Sequence, residues 1–227
     1  MSGKMGLRAA VAVLGMFVMI NVHPFAIRFL ESWAMVAIFS VCFRVFQLFQ
    51  RGSDVTGTIL YSNVAQKEEK TGYRLTMLVC RNIIFFSLLF AVIGGLLGKY
   101  LIIIIANSTY LDAYLPLLIM LPGIVLMNTG TVLNSSYWAR GYPFKVIIAP
   151  YIAGAIGLAM DVVFIPKFGA SGAALSFSVM CILWFIYITE VFRRDSGFHF
   201  SEIIIPQYSD FINIFSRIKK KLGRSET

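Results

Sequence analysis

Six stretches of this sequence stay apolar for close to twenty residues at a time, and most of the charges fall between them. A helix needs about 20 apolar residues to cross a hydrocarbon core about 30 Å thick. A chain filled with such stretches is expected to be an all-α integral membrane protein with about six transmembrane helices. The expected spans are 7–29, 33–62, 78–98, 115–138, 146–165 and 170–191. They make up a transmembrane unit over 5–192, followed by a basic tail at 193–227. The run 101–106 (LIIIIA) follows the third span directly, and 107–114 reads as an external loop.

Composition agrees. The 227 residues are 58% hydrophobic and 14% charged, against about 25% charged in soluble domains. The formal net charge of +9 is carried by residues beside the spans. That placement suits anionic lipid headgroups better than nucleic acid, and no nucleic-acid module is recognisable. Lys4 and Arg8 before an apolar run imitate a secretion signal. No small-residue cleavage site follows, so 7–29 reads as the first span.

Loop charge orients the spans. With the N-terminus in the cytoplasm, 15 of the 20 Lys and Arg residues fall on the inner side, and Arg28, Lys99 and Lys167 on the outer. This is the positive-inside bias, and it places both termini inside. In the tail, Ser209 or Asp210 can cap a helix. Phe211, Ile214, Phe215, Ile218 and Leu222 then recur at helical spacing among basic residues, as in a helix lying on a membrane surface.

Packing signals are visible too. Gly94 and Gly98, Ala153 and Gly157, and Gly169 and Ala173 are small-xxx-small pairs that let helices approach closely. Pro122 and Pro150 lie within spans and predict kinks. Cys42, Cys80 and Cys181 are far apart, in or beside spans. They read as small packing residues and offer no disulfide or metal framework. His23 and His199 are isolated. No enzyme motif, metal set or cofactor signature is recognisable, so no catalytic role and no cofactor is expected.

The second span is the unusual one. It carries Arg44, Gln47, Gln50, Arg51 and Asp54. Arg44, Gln47 and Arg51 are spaced by three and four residues and so share one helix face, with Gln50 and Asp54 beside it. A charged side chain at a helix centre costs about 2.5–3.5 kcal/mol on insertion, so such groups usually face a wet cavity or a bundle interior. Arg44, Gln47, Arg51 and Asp54 are therefore candidate cavity-lining, substrate-binding residues. The guanidinium groups of Arg44 and Arg51 suit a phosphate-bearing anion. Asp161, about one turn from the outer end of the fifth span, is a candidate partner for Arg28. Glu190 is expected beside Arg193 and Arg194.

The segment DVVFIPKFGASGAALSFSV at 161–179 resembles a recurring pattern of bacterial polysaccharide flippases. These belong to the multidrug/oligosaccharidyl-lipid/polysaccharide exporter superfamily. In that pattern a helix ends at Ile165 and Pro166, turns at Gly169, and the next helix opens at Gly172, Ala173 and Ala174. The short inner turn at Tyr137–Tyr142 and the basic tail are similar to the C-terminal half of such proteins. Asp161 stands where the family often has Asn, and Tyr61, Ser62 and Asn63 stand where it often has Pro-x-Ser.

The resemblance implies one lobe of a two-lobe transporter working by alternating access. It implies a lipid-linked oligosaccharide as substrate, membrane lipids and an N-terminal lobe as partners, and the bacterial inner membrane as the location. Two other readings stay open. One is a multidrug or cation antiporter of the same superfamily, using Asp54 and Asp161. The other is a non-transporting scaffold or the vestige of a split transporter.

Overall fold

A computed structural model describes the backbone of residues 2–205 and the side chains of 6–205. The amphipathic helix expected at 209–222 lies outside the described residues. The elements are α1 (Ser2–Leu30), α2 (Trp33–Ala65), α3 (Glu69–Ile105), a short 3-10 helix (Ser108–Ala113), α4 (Tyr114–Ala139), α5 (Phe144–Ser196) and the short α6 (Phe200–Ile204). No strand occurs among the described residues. α1 to α5 are long and apolar enough to cross a membrane, and the protein is an all-α integral membrane protein.

α5 is 53 residues long and would extend about 80 Å if straight. It is a hairpin. Gly169 sits at φ 53, ψ −130, a conformation that residues with a Cβ rarely adopt. It divides α5 into limbs 144–168 and 170–196. The limbs run back along each other: a Cβ on Gly157 would lie 3.1 Å from the Met180 sulfur, and Lys145 Nζ reaches Asp195 Oδ1 at 2.5 Å. Pro166 removes a backbone donor just before the turn. Gly172 lies so close to the Phe164 carbonyl that a side chain there would overlap it. The five helices thus make six crossings.

α4 is the central helix, packed against α2, α3 and α5. Small residues set its close approaches. Gly130 faces the buried Trp184 ring and Gly123 faces Ser178 of the second limb. The Ser178 hydroxyl accepts from the Gly123 N–H at 3.2 Å and donates to the Ile119 carbonyl at 2.6 Å. This contact sits beside Pro122, where the helix ladder is missing a donor. Gly94 and Gly98 of α3 receive Phe49, Tyr114 and Leu117. α1 lies along the first limb of α5, where the Tyr151 hydroxyl donates to the Val11 carbonyl at 2.6 Å.

Three boundaries differ from the sequence expectation. α3 runs from Glu69 to Ile105 rather than over 78–98. Its first turns (EKTGYRLT) are polar and extend past the apolar stretch, and 101–106 continues the helix almost to its end. The expected loop 107–114 contains a 3-10 helix, with Asn107 Oδ1 accepting from the Thr109 N–H at 2.8 Å. The second limb of α5 continues to Ser196, where Glu190 bonds Arg193 and Arg194 at 2.6–2.8 Å.

Arg8, Glu69, Arg140, Lys145 and Asp195 border one hollow. The start of α1, the α2–α3 turn, the α4–α5 turn and the end of α5 therefore share one end of the bundle. Most of the described Lys and Arg residues are at this basic end.

Candidate functional site

α2 buries Phe39, Cys42, Phe43, Phe46, Ser53, Gly57, Leu60 and Val64 against the rest of the bundle. Arg44, Gln47, Arg51 and Asp54 fall on the opposite side of the helix, and all four are exposed. They do not lie between the helices of this bundle; they form part of its outer flank. No ion pair joins Arg51 to Asp54 among the described residues.

The stripe is longer than the four residues suggest. Thr58 and Tyr61 continue it at spacings of four and three, also exposed. From Arg44 to Tyr61 the face extends about 25 Å along the helix, most of the thickness of the hydrocarbon core. Side chains near a helix end can snorkel to the headgroups, and α2, at 33 residues, is about 50 Å long, longer than the hydrocarbon core. At its basic end it meets a hollow of about 280 Å³ lined by Thr58, Tyr61, Ser135 and Trp138. The rest of the bundle's outer surface is different in character. α3 presents Leu88, Leu89, Phe90, Val92, Ile93 and Leu96 outward, as suits lipid.

The second candidate pair is not formed. Arg28 stacks over Trp33, with Cζ 4.4 Å from the ring centre, and Asp161 pairs with His23 instead. His23 Nδ1 donates to Asp161 Oδ2 at 2.7 Å, and both side chains are fully buried. Phe39 and Phe177 close the pocket around the imidazole, with ring centres 6.2 and 5.5 Å away. His23 Nε2 and Asp161 Oδ1, the outer atoms of the pair, are buried without a hydrogen-bond partner. Arg28 lies on α1 more than a turn beyond His23, and the closer residue takes the carboxylate.

Two further residues have a place that their sequence positions do not announce. Arg81 reads as a loop-side cation but is buried in α3. Arg140 reads as a turn residue, yet its guanidinium folds back over the Tyr73 ring, 3.5 Å from the centre. The three cysteines are all buried and free. No group of three or more His, Cys, Asp or Glu side chains that could hold a metal occurs among the described residues.

Comparison with protein families, with curated proteins and with solved structures gives no match to this chain.

Proposed function

We propose that this protein moves a lipid-linked, phosphate-bearing oligosaccharide across the bacterial inner membrane, acting as one lobe of an alternating-access transporter. The observation that carries the reading is the exposed polar face of α2, turned away from its own bundle on a helix long and apolar enough to cross a membrane. Two guanidinium groups, an amide and a carboxylate on an outer flank are costly against lipid. A water-filled cavity shared with a second lobe removes that cost. It also places Arg44 and Arg51 where a phosphate or pyrophosphate could be held through a two-pronged hydrogen bond. The resemblance at 161–179 points to the same class of substrate.

In this reading the small residues that join α4 to the α5 hairpin hold the lobe together as a rigid unit. The lobe rocks against its partner, and the stripe faces each side of the membrane in turn. The excess of Lys and Arg at the basic end supports a cytoplasmic position for that end.

The test is charge reversal in the native host, read as glycan displayed at the cell surface. Arg44→Glu with Arg51→Glu is expected to lower display at least tenfold, and the paired Lys variants to retain part of it. Unchanged display with Glu at both sites removes the stripe from the mechanism. The antiporter reading draws on the buried Asp161, since ionisable groups inside membrane helices commonly serve ion pathways. Cation-driven drug efflux that leaves surface glycan untouched would favour it.

A further inference from the structure

The basic end of the bundle contains a polar pocket that uses none of the four stripe residues. Arg140 caps the C-terminus of α4, with its backbone N–H bonded to the Tyr137 carbonyl at 3.1 Å. The turn behind it is tight. Gly141 and Tyr142 both have positive φ, 83° and 54°, and the Tyr142 hydroxyl is anchored to Asn134 Oδ1 at 2.7 Å. This turn sends the Arg140 side chain back onto α3, flat over Tyr73. Gly72 makes room for it: a Cβ there would lie 3.1 Å from Nη2.

Both terminal nitrogens of Arg140 are buried and make no hydrogen bond. A guanidinium deprived of both water and acceptors is unfavourable, and an oxygen-rich anion is the group that satisfies it best. Hollows of about 460 and 270 Å³ flank the side chain, several times the roughly 30 Å³ that a water molecule occupies. The carboxylates bordering the hollows, Asp195 and Glu69, make no bond to Arg140. Asp195 takes Lys145 at 2.5 Å and the Tyr137 hydroxyl at 2.9 Å, and Glu69 accepts from the Tyr73 hydroxyl at 3.2 Å. Arg8 and Lys67 also line these hollows and have no ion pair among the described residues. Arg8 lines the larger hollow and Lys67 the smaller, so Arg140, which borders both, has one further cation on each side, with Glu69 also at the edge of both.

The level in the membrane fits a headgroup. α2 ends and α3 begins here, and Trp138 and Tyr142 pack with ring centres 4.6 Å apart, the aromatic chemistry of a membrane–water interface. We propose that the space beside Arg140 binds a phosphate group, with Arg140 as the two-pronged donor and, as the supporting charge, Arg8 in the larger hollow or Lys67 in the smaller. The chemistry is common to the headgroup of an anionic phospholipid and to free phosphate. The proposal does not depend on transport.

The experiment uses the full chain in nanodiscs, with thermal unfolding as the readout. One arm compares phosphatidylglycerol with phosphatidylcholine; the other adds inorganic phosphate to phosphatidylcholine discs. The variants are Arg140→Gln and the pair Arg8→Gln with Lys67→Gln, both exposed residues whose loss leaves the core packing intact. Phosphatidylglycerol is expected to raise the unfolding temperature of the unaltered chain. Its apparent affinity is expected to fall about fivefold when the supporting cation is removed and about tenfold or more for Arg140→Gln. A stabilisation reproduced by phosphate alone and lost in the variants assigns the pocket to the free ion. If Arg140→Gln fails to fold, the exposed pair decides. Stabilisation in neither arm, or stabilisation that ignores the exposed pair, overturns the proposal.

Discussion

His23 and Asp161 are 138 residues apart and meet in a pocket from which both are screened from solvent. Their bond ties α1 to the hairpin, and its outer atoms have no partner. Breaking a buried pair by removing one member strands the other and typically costs about 3–5 kcal/mol. His23→Ala is expected to destabilise the fold by that amount, measured by unfolding in mixed micelles. The double variant with Asp161→Ala is expected to recover part of the loss, because no carboxylate is then left unpaired. Sequence reasoning finds Asp161 near the outer end of its span but pairs it with Arg28, the residue with a permanent charge. Charge was a poor guide here. Depth along α1 decides the partner, and depth depends on how α1 sits against the first limb of α5, which local spacing does not encode.

Elements follow local chemistry where that chemistry is strong. Pro166 and Gly169 mark the hairpin turn plainly, and the turn lies at Gly169. A Cβ at φ 53, ψ −130 is strained, and it would also approach the Met35 sulfur to 3.1 Å. Gly169→Ala is therefore expected to cost about 1–3 kcal/mol. Gly52→Ala, where nothing lies within 4 Å of the added carbon, should stay within about 0.5 kcal/mol of the unaltered chain. Equal unfolding curves for the two variants would contradict the hairpin geometry. Ser178→Ala tests the α4 contact in the same way. It removes the hydroxyl that bonds the Gly123 N–H and the Ile119 carbonyl, a loss of about 0.5–1.5 kcal/mol per hydrogen bond. The start of α3 was hidden for the opposite reason. Its first turns are polar and carry no apolar period, and they become helical through contacts such as Tyr73 on Phe192 at the far end of α5.

For the molecule as a whole, the six crossings and the basic end are legible in the sequence, because hydropathy and loop charge act on every span alike. What faces the stripe is not legible, since exposure is a property of the assembled bundle. In the structure α2 turns its aromatic face inward and leaves Arg44, Gln47, Arg51 and Asp54 on the outside, while α3 offers lipid an apolar flank. The account depends on water reaching that stripe. Cysteine scanning with a membrane-impermeant thiol reagent applied from both sides measures this directly, and the buried native Cys42, Cys80 and Cys181 keep the background low. Cysteines at 44, 47, 51 and 54 are expected to label in the membrane, and cysteines replacing Leu89 and Leu96 on α3 to stay unlabelled. Stripe positions as unreactive as the α3 positions would mean that lipid covers the polar face, and the transport reading would fail.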